Sequence, residues 1–293
     1  MTGIVINLPY TAQSAPAPVL KRLDLNAESW RLEHWRLIDP PLAEVVARAA
    51  IFEKKTKRVE RPVIIYPFSP LVADPWGLWA AELNGEEAGA ARQAPAPGFI
   101  ARTTEGRPIN FSPKDRDVIF SRAVAPFHQQ LEQTARELME KSPLVLILTI
   151  RSFTSRPLSF EKDKKYPRPQ AAVGATAAVT PPGLSHMAGE AFHSLRWWVE
   201  LNRPQGGAFV PPGLRGHPRV RALGLSLCRG LYMDERSGRK KSSAKSAARV
   251  LATALNLLDQ ELERVAALRL DRAGRPGASS ASKTPSPVIK AGR

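Results

Sequence analysis

The run Leu144-Val-Leu-Ile-Leu-Thr-Ile150 constrains this chain more than any other stretch. Seven consecutive apolar or β-branched residues suit a strand covered on both faces, as at the centre of a parallel sheet. The run stops at Arg151-Ser-Phe-Thr154. Open α/β sheets place their ligands at the carboxyl ends of such strands, so function is expected at this polar turn. Strand and helix patterns alternate around it. They predict an α/β fold: a three-layer α/β/α domain around a mixed, mostly parallel sheet.

The pattern divides the chain into three parts. Residues 1–25, with Pro9, Pro16 and Pro18 among small residues, read as an irregular N-terminal arm. Residues 26–270 carry the periodic segments. Residues 271–293, rich in Gly, Ser, Pro and Lys, read as a disordered basic tail. Within the domain, Pro41 to Phe52 has helical spacing after Asp39-Pro40, and Pro62 to Tyr66 reads as a short buried strand. Lys54 to Arg61 reads as a charged turn and residues 85–108 as a long surface loop. Ser112-Pro113 with Asp115 marks a helix start. That helix runs toward Lys141, with Pro126 kinking or dividing it. Glu161 to Pro182 reads as a long loop, Leu184 to Trp198 as helical, Trp198 to Asn202 and Val220 to Leu231 as strands. A final helix starts near Ser242 or Ser243.

Composition narrows the class. Apolar residues make up 43% of 293, enough for a sizeable core. No apolar run approaches membrane-spanning length, and the first ten residues lack the charged and apolar regions of a signal peptide. A single cysteine, Cys228, excludes an internal disulfide and a multi-cysteine zinc site. A soluble cytoplasmic protein is the expectation. The net charge of +16 is concentrated: residues 236–249 and 272–293 together hold eleven cations and no acid. Most such runs are solvated surface. As a partner site they would hold nucleic acid weakly, without sequence preference, and with steep salt dependence.

Several short segments, in order, resemble the N-formylglutamate amidohydrolase family. Tyr66-Pro-Phe-Ser-Pro-Leu-Val-Ala-Asp74 resembles the family's Tyr-Ser-Arg-Leu-Val-Ile-Asp-Leu-Asn-Arg segment, with Asp74 on its Asp. Pro70, Trp76 and Gly77 stand in place of its two Arg and its Asn. Pro108-Ile-Asn110 resembles a Pro-Gly-Asn turn, and Ala125-Pro-Phe-His128 a Pro-Tyr-His signature. Glu200-Leu-Asn202-Arg-Pro204 resembles an Asn-x-Pro turn. Arg151-Ser-Phe-Thr154 resembles a His-Ser-Phe-Thr turn whose His is a metal ligand. In the strand Arg221 to Leu231, Gly224, Ser226 and Cys228 stand where Glu and Arg are expected.

The resemblance implies hydrolysis of a C–N amide bond by a zinc-activated water, with a carboxylate moving the proton. It names Asp74, His128 and Ser152 as candidate catalytic residues, and Asn110, Arg151, Thr154 and Asn202 as ligand-binding ones. A guanidinium cannot ligate zinc, and no early His-Ser-Gly type ligand segment is present. No metal ligand is therefore assigned and no cofactor is expected; zinc is implied only if the family activity is retained. Arg151 would supply fixed positive charge to an anionic ligand. Two readings stand: an amidohydrolase on a small anionic linear amide, or a non-catalytic scaffold that contacts nucleic acid or a larger complex.

Other constellations have plainer readings. His186, Glu190 and His193 share one helix face, which fits a polar surface better than a metal site. Ser152 lacks a nucleophile elbow. Cys228 reads as inert core. Of Trp197 and Trp198, adjacent positions put at most one on a stacking surface.

Overall fold

The structure is a computed structural model, and it describes residues 3–12, 14–15, 19, 26–53, 61–78, 80 and 98–273. In chain order the elements are β1 (Gly3–Leu8), α1 (Ala27–Leu37), α2 (Pro40–Glu53), β2 (Val63–Ile65) and α3 (Pro113–Ile119). A π-helical turn (Phe120–Val124) leads into α4 (Ala125–Lys141), then β3 (Val145–Phe153), β4 (Ala171–Gly174), α5 (Pro182–His193) and β5 (Val199–Leu201). β6 (Val220–Cys228) and α6 (Ala244–Ala273) complete the fold.

The sheet has six strands in the order β2-β1-β3-β6-β4-β5. Every neighbouring pair is parallel except the antiparallel β4–β6 pair. The architecture is the predicted α/β one. β3 is central and buried along its whole length. Because strand side chains alternate, Leu146, Leu148 and Ile150 pack into one core with α2, α5 and α6. Val145 and Ile147 pack into another with Phe127, Leu131 and Ala135 of α4. Each fully buried Leu, Ile or Val contributes roughly 1.5–3 kcal/mol.

The N-terminal reading needs correction at its start. Gly3–Leu8 is not part of an irregular arm but a fully buried strand between β2 and β3. The prolines that suggested an arm begin at Pro9, after the apolar run has ended. A second correction concerns the expected loop at 161–182, which contains β4. Ala171-Ala-Val-Gly174 carries weak strand propensity, and a Cβ on Gly174 would collide with the Gly207 carbonyl. β2 is an edge strand rather than a buried one, with Val63 and Ile65 exposed and only Ile64 covered.

Other elements form as their sequence dictates. Ser112 caps α3 in a reciprocal box with Asp115. Pro126 lies in the first turn of α4, directly after the π-helical turn that divides the helix where proline removes an N–H donor. α5 ends at His193, and Arg196 adopts φ 61, so the helix stops short of Trp198. The expected charged turn at 54–60, most of the 85–108 loop and the tail from 274 lie outside the described residues.

Candidate functional site

The carboxyl end of β3 presents its two faces to different surroundings. Arg151, on the side of Val145 and Ile147, is fully buried. Its Nε donates to Ser226 Oγ at 3.0 Å, and its Nη2 donates to the carbonyls of Gly206 at 2.6 Å and Gly207 at 3.1 Å. The guanidinium carbon lies 5.3 Å from the centre of the Phe209 ring. Nη1 has no partner among the described residues. Burial lowers the guanidinium pKa to about 10, with Tyr10 and Asp74 opposing the shift.

Glycines make the room for this side chain. Gly174 and Gly224 face each other across β4 and β6. A Cβ on Gly174 would stand 2.9 Å from Arg151 Nη2 and would collide with the Gly207 carbonyl. A Cβ on Gly224 would stand 2.7 Å from that carbonyl and 3.2 Å from Nη2. Asn202, held at φ 56, accepts the N–H groups of Ala175 at 2.8 Å and Gly207 at 3.0 Å with its side-chain oxygen. It thereby shapes the turn that presents the Gly206 and Gly207 carbonyls to Arg151.

Asp74 and His128 share this face. Asp74 is buried, and its Oδ1 accepts the Tyr10 hydroxyl at 2.8 Å and the Trp76 N–H at 3.1 Å, while Oδ2 accepts the Ala80 N–H at 3.1 Å. Burial, then Asp74, raises the Tyr10 phenol well above its usual range. His128 Nε2 lies 3.0 Å from the Pro75 carbonyl, so that nitrogen carries the proton. Burial lowers its pKa to about 4, leaving it neutral near pH 7. Its ring stacks on Trp76 at 4.6 Å, and Trp76 stacks on Phe209 at 5.3 Å. Trp76 is completely buried, so the indole fills the space between His128 and the Phe209–Arg151 pair.

Ser152 points the other way. Its hydroxyl accepts Arg229 Nε at 2.9 Å, and Arg229 Nη1 donates to the carbonyls of Trp35 and Arg36, both at 3.0 Å. Asp39 lies 3.9 Å from Arg229 and accepts the Tyr232 hydroxyl. The structure thus brings Asp74, His128 and Arg151 together, with Asn202 holding the turn, and puts Ser152 on the opposite face. Thr154 lies beyond the strand, where its hydroxyl donates to the Arg156 carbonyl at 2.7 Å and its own carbonyl accepts Arg168 at 3.1 Å. Asn110 is exposed, outside the buried cluster. Sequence reasoning missed Tyr10, Phe209 and the Gly174–Gly224 pair. Of these, the sequence reading singled out only Gly224, as one of three positions in its strand where the resemblance expects Glu and Arg.

The remaining candidates occupy ordinary positions. His186, Glu190 and His193 are exposed along a groove of about 310 Å³ between α5 and β5. Cys228 is buried, and burial raises its thiol pKa to about 11. Trp197 stacks on Phe192 at 5.9 Å, and Trp198 is exposed. In the basic run, Lys240 pairs with Glu44, Lys241 donates to the Gly230 carbonyl at 2.8 Å, and Arg249 lies 5.4 Å over Phe52. No helix among the described residues is long and apolar enough to cross a membrane.

A mostly parallel sheet with a buried polar cluster at its strand ends defines an α/β protein of the open-sheet class. A sequence model of the N-formylglutamate amidohydrolase family matches residues 2–233, and the chain belongs to that family. The fold is similar to the crystal structure of N-formylglutamate amidohydrolase from Ralstonia eutropha, with a TM-score of 0.70 and 17% identity over 89% of this chain and 94% of that one. It is also similar to a gene product of Agrobacterium tumefaciens, with a TM-score of 0.60 and 17% identity over 89% and 91%. A search of curated proteins finds no match.

The zinc that the family resemblance implies does not fit these residues. By the resemblance Arg151 stands where a metal-ligating His is expected, a guanidinium cannot ligate zinc, and no group of three or more His, Cys, Asp or Glu among the described residues could hold a metal ion.

Proposed function

We propose that this member of the N-formylglutamate amidohydrolase family is impaired as a metal-dependent hydrolase and binds a small anionic ligand in the inherited cleft. Arg151 carries this reading. Its buried guanidinium replaces an exchangeable metal charge with a fixed one, and a pair of glycines is fitted around it. Arginine suits the replacement because it keeps its charge when buried and donates through several N–H groups. Without a metal to lower the pKa of a water, the cluster is poorly equipped to activate a nucleophile: burial that lowers His128 to about 4 leaves its other ring nitrogen a weak base, and both Asp74 oxygens already accept hydrogen bonds.

The test is a hydrolysis assay on N-formylglutamate with added zinc and, separately, with chelator. The expected result is negligible turnover in both. Chelator-sensitive turnover would defeat the reading. A cytoplasmic location is part of the proposal, supported by the single cysteine, which is free and buried. Nucleic-acid contact through 236–249 and 272–293 rests on charge alone. It calls for binding that unrelated competitors displace and salt abolishes; strong preference for one sequence would count against it.

A further inference from the structure

We infer that the Arg151 face holds one small monoanion, a carboxylate or an inorganic equivalent, gripped by Arg151 Nη1 and assisted by the Tyr66 hydroxyl and the Trp76 indole. This rests on the reading of Arg151 as a fixed cation in the inherited cleft, and it specifies what that cation meets.

The first argument is charge. Arg151 is fully buried, and all its protein acceptors are neutral: one hydroxyl and two carbonyls. Asp74 is the carboxylate whose field reaches it, but its oxygens are spent on Tyr10, Trp76 and Ala80. A buried charge is tolerated when it is paired, and is costly otherwise. Arg229, on the opposite face, has Asp39 beside it; Arg151 has no such carboxylate at ion-pair distance among the described residues.

The second argument is hydrogen bonding. Among the described residues, three buried side chains in this cluster present donors without partners: Arg151 Nη1, the Tyr66 hydroxyl and Trp76 Nε1. Tyr66 feels the field of Asp74, as Arg151 does, and shares the Tyr10 neighbourhood with it. Trp76 and Arg151 both pack on Phe209. Leaving such donors unmet costs about 1–3 kcal/mol each. A water would satisfy donors but leave the charge unbalanced, whereas an oxyanion answers both. The ligand is small, because Phe209 and the Gly206 and Gly207 carbonyls already pack against the guanidinium.

Two measurements test this on the full-length protein. Desalted protein is denatured and the released anions are quantified by ion chromatography. Thermal midpoints are then recorded with formate, nitrate or chloride against a bulky organic sulfonate at equal ionic strength. The inference expects about one released anion per chain or a selective rise in midpoint with one of the small anions. Tyr66→Phe, which removes one donor at nearly constant volume, should weaken that anion roughly tenfold or more. Arg151→Met should abolish the response. No released anion together with identical responses to all salts would overturn the inference, as would full binding in both folded variants. In either event water satisfies the donors, and the proposal about hydrolysis is still decided separately by the turnover assay.

Discussion

Arg151 and Arg229 are both buried at the carboxyl end of the β3–β6 pair, on opposite faces, and they are built differently. Arg229 ties Ser152 to the backbone at Trp35 and Arg36 with Asp39 alongside. It is a clasp between the strand end and the segment joining α1 to α2. Arg151 is lodged between glycines, held by neutral acceptors, with one nitrogen left over. Burial alone therefore does not separate a structural arginine from a ligand-facing one; the completeness of its pairing does.

The largest expected effect is on stability. Arg229→Met strands the buried Asp39 and should cost about 3–5 kcal/mol in denaturant unfolding. Arg151→Met, in buffer free of small anions, removes an unpaired charge and should cost less than about 2 kcal/mol. Equal losses would erase the distinction between the faces. Acid sensitivity comes next. The folded pKa of His128, about 4, lies below the unfolded value near 6.5. The unfolded chain therefore takes up the proton first as pH falls. The stability from a neutral His128 is complete above about pH 6.5 and is lost toward pH 4, by on the order of 3 kcal/mol. His128→Gln should flatten stability across that window, and an unchanged slope would assign the sensitivity elsewhere. The smallest effect is steric. Gly174→Ala should cost roughly 1–3 kcal/mol, and Arg151→Met should relieve only part of it, because the Gly207 carbonyl is also in the way. Full relief would mean that the glycine serves the guanidinium alone.

The sequence shows the central strand because an uninterrupted apolar run has few alternatives, and it shows α3 because Ser112, Pro113 and Asp115 each have a local capping role. β1 was hidden by the prolines that follow it from Pro9 onward. β4 was hidden because it is short and built of Ala and Gly, which carry little strand propensity, and Gly174 is small because the Gly207 carbonyl and Arg151 approach it, a tertiary demand with no local signal. The site was legible where a motif named it: Asp74 and His128 do lie with Arg151. Motif order does not report which way a side chain points. Ser152 is adjacent to Arg151 in sequence yet opposite in space, because strand side chains alternate. Tyr10 reaches Asp74 across 64 residues of chain, and no local pattern encodes that bond.

The central claim is that a fixed guanidinium has taken the place of a metal ion. Its most direct test is elemental analysis of the purified protein after incubation with zinc and removal of excess metal. The account predicts far less than one zinc per chain, unchanged by chelator and no lower in Arg151→Met. One tightly held zinc per chain would contradict it.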